Sequence, residues 1–198
     1  MESFSELVEL SGLLNDFRQP WFVAGGWAID LFIGDVTRVH KDIEIAIFRK
    51  DQSSLREYLF GWEFTKVVNG KMEPWNENEW LELPIHEIHA YAKNTLFSEL
   101  EILLDESSQS EWRFRRNLDI ARPLSMIRLR YDIGVPFLAP EIVLLYKAKN
   151  PRSKDEDDFY RVCRLLDEER QVWLKQAITV CHPGHHWLAE LHPSSLCH

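Results

Sequence analysis

The chain has 198 residues, 45% of them hydrophobic and 28% charged, which is enough apolar material for one sizeable core, either as one domain or as one domain with a small appendage. Its formal charge of −9 and pI near 5.4 oppose non-specific binding to nucleic acid, whose phosphates require cations, and favour a small cationic ligand. No apolar run reaches the roughly 18 residues of a membrane span. The start Met1-Glu2-Ser3-Phe4-Ser5-Glu6 lacks the basic and apolar regions of a signal peptide, and an odd number of cysteines suits reduced thiols, so a cytoplasmic location without membrane attachment is expected.

Leu7, Leu10, Leu13, Leu14 and Phe17 recur at helical spacing and predict a first helix. The apolar Phe22, Val23 and Ala24 then run into Gly25 and Gly26, where the missing Cβ atoms permit a tight turn and let backbone N–H groups approach an anion. Ala28, Ile29, Leu31, Phe32 and Ile33 continue as a helix ended by Gly34, so the glycines mark a strand-to-helix junction of the kind that suits phosphate. Next comes the alternation Asp42-Ile43-Glu44-Ile45. In a strand it puts the two acids on one face and Ile43, Ile45 and Ile47 on the other. Like charges so close repel unless a cation lies between them; Mg²⁺, which takes carboxylate oxygens together with phosphates and water, is the usual one. A wet edge strand is the alternative.

Further along, a helix is expected over 52–59 and strands over 62–68, 86–92, 96–104, 112–116 and 126–131. The charge-rich stretch 150–158 reads as a surface loop. From Pro140 the pattern is helical, first through Ile142, Leu145 and Ala148, then through Phe159, Val162, Cys163 and Leu166, and last through Val172, Leu174, Ala177 and Ile178. The organisation divides near residue 135, into 1–135 and a helical region 136–198.

The run Gly25-Gly26-Trp27-Ala28-Ile29-Asp30, followed by Thr37-Arg38-Val39-His40-Lys41-Asp42-Ile43-Glu44, resembles the signature of the polymerase-β-type nucleotidyltransferase superfamily. It is most similar to the branch of aminoglycoside 2''-nucleotidyltransferases and lincosamide nucleotidyltransferases, and the likeness is close over residues 20–48. Two departures stand out. Trp27 occupies a position where a small Ser often touches the triphosphate, and the second carboxylate is Glu44 instead of the commoner Asp.

The resemblance implies an α+β fold, with a nucleotidyltransferase-like mixed β-sheet flanked by helices and a small C-terminal helical region packed on it. It also implies transfer of a nucleoside monophosphate from a nucleoside triphosphate, ATP in the first instance, to a hydroxyl of a small molecule such as an aminoglycoside or lincosamide. Asp42 and Glu44 would bind Mg²⁺, and a third carboxylate on a neighbouring strand would share the metal or act as general base. Glu101 is the first choice, flanked by Leu100 and Ile102; Asp105 is second and Glu99 third. Gly25 and Gly26 would approach the triphosphate, and Lys147 or Lys149 would reach its β- and γ-phosphates. The other reading is a non-catalytic relative, or a toxin-like transferase acting on tRNA or protein.

Arg113, Arg115 and Arg116 form a second basic group, and alternation sets Trp112 and Phe114 on one face and two of the arginines on the other. His40 either supports the metal face or is a hydrogen-bonded structural residue. In 69–80, Trp75 and Trp80 either stack on an acceptor, with Glu73, Glu77 or Glu79 accepting its hydrogen bonds, or fold onto the core. His86-Glu87-Ile88-His89 is one residue short of a zinc-protease motif and lies in a strand-like stretch. The cluster of Cys181, His182, His185, His186, His192, Cys197 and His198 matches no closed zinc pattern and reads as a packed terminal loop.

Overall fold

The computed structural model describes residues 4–93 and 99–191. Helix α1 (Ser5–Leu13) buries Leu7 and Leu10 on one stripe and leads to β1 (Trp21–Val23), whose three apolar residues are all buried, as an interior strand requires. Helix α2 (Gly25–Ile33) begins at the first glycine and ends at Gly34, whose φ of 88° is a left-handed cap. β2 (Glu44–Phe48) follows, then α3 (Gln52–Tyr58), β3 (Glu63–Val68), β4 (Lys71–Pro74), β5 (Glu87–Tyr91) and β6 (Glu99–Ser107). A hairpin of β7 (Glu111–Arg113) and β8 (Ala121–Pro123) precedes the one-turn α4 (Leu124–Ile127), β9 (Arg128–Arg130) and β10 (Pro136–Leu138). Three helices close the described fold: α5 (Pro140–Lys147), α6 (Ser153–Val162) and α7 (Glu168–Cys181).

The strands form one mixed sheet in the order β4-β3-β5-β6-β2-β1-β10-β9, with β7 and β8 extending it from the far end of β6. β2 runs parallel to β6 and β1 parallel to β10; every other pairing is antiparallel. The parallel register aligns Glu44 with Glu101. Helices α2, α5, α6 and α7 pack on one another, and α2 also touches β2 and β10. This is the expected α+β arrangement. The division near residue 135 falls just before β10, itself a strand of the sheet, and the helical region starts at Pro140.

Several expectations are corrected. β2 starts at Glu44, so Asp42 lies in the bend before the strand and not within it. The segment 126–131 splits between α4 and β9. β4, β8 and β10 were not anticipated. β4 is fully exposed and has no apolar alternation; it exists because Asn69 and Gly70, with φ of 51° and 76°, turn the chain back onto β3. Most consequential, 153–158 is helical: Asp155 accepts from the backbone N of Arg152 at 3.0 Å and caps α6, and Asp155 and Asp158 are buried by pairing with cations. Of the strand expected over 96–104, residues 96–98 lie outside the described residues.

Polar burial also ties the helices to the sheet. Glu141 on α5 is fully buried and meets Arg122 of β8 at 2.9 Å and Arg170 of α7 at 3.3 Å. Phe159 stacks on Trp187 with centroids 4.2 Å apart, sealing α6 against the chain that follows α7.

Candidate active site

The two glycines are required by their neighbours. At Gly25, where φ is +58°, an added Cβ would overlap the carboxylate of Glu44, coming within 2.5 Å of its Cδ. At Gly26 it would overlap the Arg38 guanidinium and lie 2.6 Å from Cε1 of His40. The turn thus gives room to three side chains of the cavity wall. It also presents the first amides of α2, which have no intrahelical acceptor, toward the same space.

Asp30 organises the loop that brings those side chains in. Buried on α2, it accepts from the Thr37 hydroxyl at 2.6 Å and the Thr37 N–H at 3.2 Å, and meets His40 Nε2 at 2.6 Å. The His40 ring in turn stacks on Trp27 at 4.3 Å. His40 is therefore the structural residue of its two readings, and Trp27 is a buried platform under it. Sequence reasoning gave Asp30 no role; its signal was an acid inside the apolar run Ala28-Ile29-Asp30-Leu31-Phe32.

Glu44 and Glu101 sit side by side on parallel strands, with Ile45 and Ile102 buried on the opposite face. Burial pushes the Glu44 carboxyl above its ordinary value, against the pull of Lys147, Lys154 and Arg152. The Glu101 carboxyl is pushed up to about 7, by burial first and then by the charges of Glu44 and Glu87. Asp42 is exposed and faces the same cavity. Among the described residues no three His, Cys, Asp or Glu side chains are drawn close enough to hold a metal ion. The donors of Asp42, Glu44 and Glu101 are nevertheless the hard oxygens that Mg²⁺ takes, and a divalent ion would relieve the repulsion of the paired acids.

The other two acids have different surroundings. Asp105 is buried, with one oxygen accepting from Tyr146 at 2.8 Å and the other from Trp112 Nε1 at 2.9 Å. Glu99 is exposed and meets His89 at 3.3 Å.

A cavity of about 430 Å³ lies in front of this pair, bounded by the glycine turn, β2, β6, the end of α5 and the start of α6. Lys147, in the last turn of α5, reaches Asp155 at 2.7 Å and Asp158 at 2.9 Å. Arg38 meets Asp158 at 3.3 Å, and Arg152 meets Asp155 at 2.9 Å. Burial disfavours charge on Asp155, but hydrogen bonds from Arg152 and Lys147 overcome it and hold this carboxyl below the usual range. Lys149 is exposed at the rim, and Lys154 also lines the cavity. The sequence reading singled out Lys147 and Lys149 but missed Arg152, Lys154 and their aspartates, because a charge-rich stretch looks like solvated loop until its partners are known.

Arg115 and Arg116 line the same cavity, whereas Arg113 turns away to Glu111 and the Leu118 carbonyl, both at 2.9 Å. His86 and Glu87 are also on the wall, although the sequence assigned them nothing. His89 bridges Glu87 and Glu99 on the strand, as the strand-like reading of that stretch expected.

Of the two readings of 69–80, the one folded onto the protein fits: β4 lies at the outer edge of the sheet, with β3 and β5 between it and β6, and no residue of 69–80 lines the cavity. Trp75 is buried against Phe64 and lies under the Arg56 guanidinium at 4.6 Å, while Trp80 is exposed. Glu79 pairs with Lys66. Toward the C-terminus, His185 accepts from the backbone N of Trp187 at 3.1 Å and His186 meets Glu156 at 3.0 Å. His192, Cys197 and His198 lie outside the described residues.

Residues 6–95 match the model of a family described as aminoglycoside-2''-adenylyltransferase, a stretch that includes the glycines, Asp42 and Glu44 and stops short of Glu101. Among solved structures, ANT(2'')-Ia in complex with adenylyl-2''-tobramycin is similar at a TM-score of 0.60 and 14% identity, over 89% of this chain and 99% of that one. The lincomycin-bound lincosamide antibiotic adenylyltransferase LnuA gives 0.57 and 16%, over 83% and 98%. A solution structure of ANT(2'')-Ia gives 0.57 and 15%, over 96% of each. No curated protein matches the sequence. At these identities the structural likeness is one of fold, and it meets the resemblance read from residues 20–48.

Proposed function

We propose that this chain, of nucleotidyltransferase type in its N-terminal family match and its fold, transfers a nucleoside monophosphate from a nucleoside triphosphate to a hydroxyl of a small molecule. The observation that carries the reading is the alignment of Glu44 with Glu101 on parallel strands, in a cavity shared with Gly25, Gly26 and Lys147. Asp42, Glu44 and Glu101 would hold Mg²⁺, which when bound supplies positive charge against the triphosphate and the departing pyrophosphate.

The rest follows from the chain's own groups. The glycine turn and the first amides of α2 receive the phosphates, and Arg38, Lys147 or Lys149 neutralise their outer charge. The acceptor oxygen attacks the α-phosphorus, forming the new P–O bond while the bond to the β-phosphate breaks and pyrophosphate leaves with its electron pair. Glu101 would either share that metal or take the hydroxyl proton, a role its carboxyl, pushed up to about 7 in the metal-free protein, suits near neutral pH. Tobramycin and lincomycin, held in adenylylated and free form by the similar structures, are the reference acceptors for an assay of transfer.

Calorimetric titration with MgATP tests the reading, together with the same titration after chelation of the metal and with Asp42→Ala. Binding that weakens at least about tenfold, or 1.4 kcal/mol, in both altered cases supports it. Absence of nucleotide binding by the unaltered protein, or binding indifferent to metal and to Asp42, overturns it.

A further inference from the structure

The cavity has a second cationic end, and it lies away from the glycines. β1 is antiparallel to β2 with Val23 opposite Ile45, so Gly25 and Gly26 stand beside the start of β2. Glu101, Leu103 and Asp105 share one face of β6 and run the other way; at strand rise, Asp105 is about 13 Å from Glu101. Arg115 and Arg116 are at that far end.

Arg115 is 8% exposed at its side chain, and its guanidinium lies 4.1 Å from the centre of the Tyr146 ring. Its Nε and Nη1 are buried without a hydrogen-bond acceptor. Asp105 stands 3.8 Å away, too far for a hydrogen bond, and its oxygens already accept from Tyr146 and Trp112. Arg116 lies over the other part of the same platform, 5.4 Å from the Tyr146 ring, and spends one N–H on the Tyr146 carbonyl at 2.9 Å. Glu87, a further acid on the cavity wall, is paired with His89 at 3.1 Å. Buried donors without acceptors are costly in a folded protein, and a guanidinium fork matches a planar or tetrahedral oxyanion.

We infer that Arg115 and Arg116 seat an anionic group, carboxylate or phosphate, of the acceptor, so the preferred substrate is a hydroxylated small molecule carrying negative charge. The inference rests on the transferase reading only for the word acceptor; the anion site itself stands on the arginines. It separates this chain from a polycationic acceptor such as the tobramycin of the similar structure. The spacing also leaves room for a sugar-sized body between the anion and the hydroxyl that meets Glu101.

The test titrates the full chain with D-glucuronate, D-glucose 6-phosphate and tobramycin, each with and without MgATP, and follows pyrophosphate release. Arg116→Gln changes an exposed side chain, and Arg115→Lys keeps the charge beside Asp105 if Arg115→Gln fails to fold. Binding of glucuronate or of the sugar phosphate is expected, with preference between them telling a carboxylate from a phosphate site. Each variant should weaken that binding at least tenfold while the affinity for MgATP changes less than twofold. Three results overturn the inference: neither anion binds; the variants weaken MgATP as much as the anion, which assigns the arginines to the triphosphate; or tobramycin is modified and the anions are not. If MgATP fails to bind and the anions still require Arg116, the anion site stands and the transferase reading falls.

Discussion

Replacing Gly25 by alanine separates two costs that the turn would otherwise hide. The first is conformational: φ is +58°, where a residue with a Cβ costs about 1–2 kcal/mol. In a chain of this size that lowers the melting temperature by about 2–8 °C. The second falls on Glu44, whose carboxylate occupies the volume the new Cβ would take. Because that carboxylate is the mobile end of a side chain, it swings aside at little expense to folding. A displacement of about 1 Å at a reacting centre, however, lowers turnover about 100-fold. Thermal denaturation and pyrophosphate release at saturating MgATP and acceptor read the two effects apart. Gly25→Ala in a Glu44→Gln background supplies the control: if Gly25 acts through Glu44, the second change removes little further turnover. Gly25→Ala with unaltered turnover, or with an undiminished further loss in the Glu44→Gln background, would refute the assignment.

Asp158→Asn should destabilise the fold by about 3 kcal/mol, since it removes the buried charge that Arg38 meets and one of the two that Lys147 meets; chemical denaturation measures it. Trp27→Ser should cost about 3 kcal/mol because Trp27 is buried and carries His40, and a melting curve unchanged by it would contradict that role. In the metal-free protein Glu101 binds its proton more tightly folded than unfolded, about 7 against an ordinary 4.5, so its stabilising contribution is complete below about pH 4.5 and is lost as pH rises through 7. Denaturation midpoints should therefore fall between pH 5 and 8, and Glu101→Gln should flatten that slope; a slope unchanged by the substitution counts against the shift.

What was legible in the sequence is what short-range rules control. Glycine at the strand-to-helix junction, the alternation that turns Glu44 away from Ile45, the hydrophobic setting of Glu101 and the proline opening α5 each follow from backbone geometry over a few residues. The two acidic strands could even be matched by composition. Their parallel register, which aligns Glu44 with Glu101, could not be, because it is set by pairing between segments more than fifty residues apart.

Charge was where sequence reading went astray, since the same residue is solvated or buried according to a partner that only the fold supplies. Asp155 and Asp158 looked like a wet loop and are instead the buried counter-ions of Lys147 and Arg38. Trp75, open to stacking on a ligand or to folding onto the core, packs against Phe64 at the sheet's outer edge, and Arg115, one of three similar arginines, keeps Nε and Nη1 without a hydrogen-bond acceptor beside the cavity. The sequence by itself determined that glycines and paired carboxylates would face a phosphate-sized problem. Only the tertiary structure decided which cations stand at each end of the cavity, because burial and pairing are properties of neighbours distant in the chain.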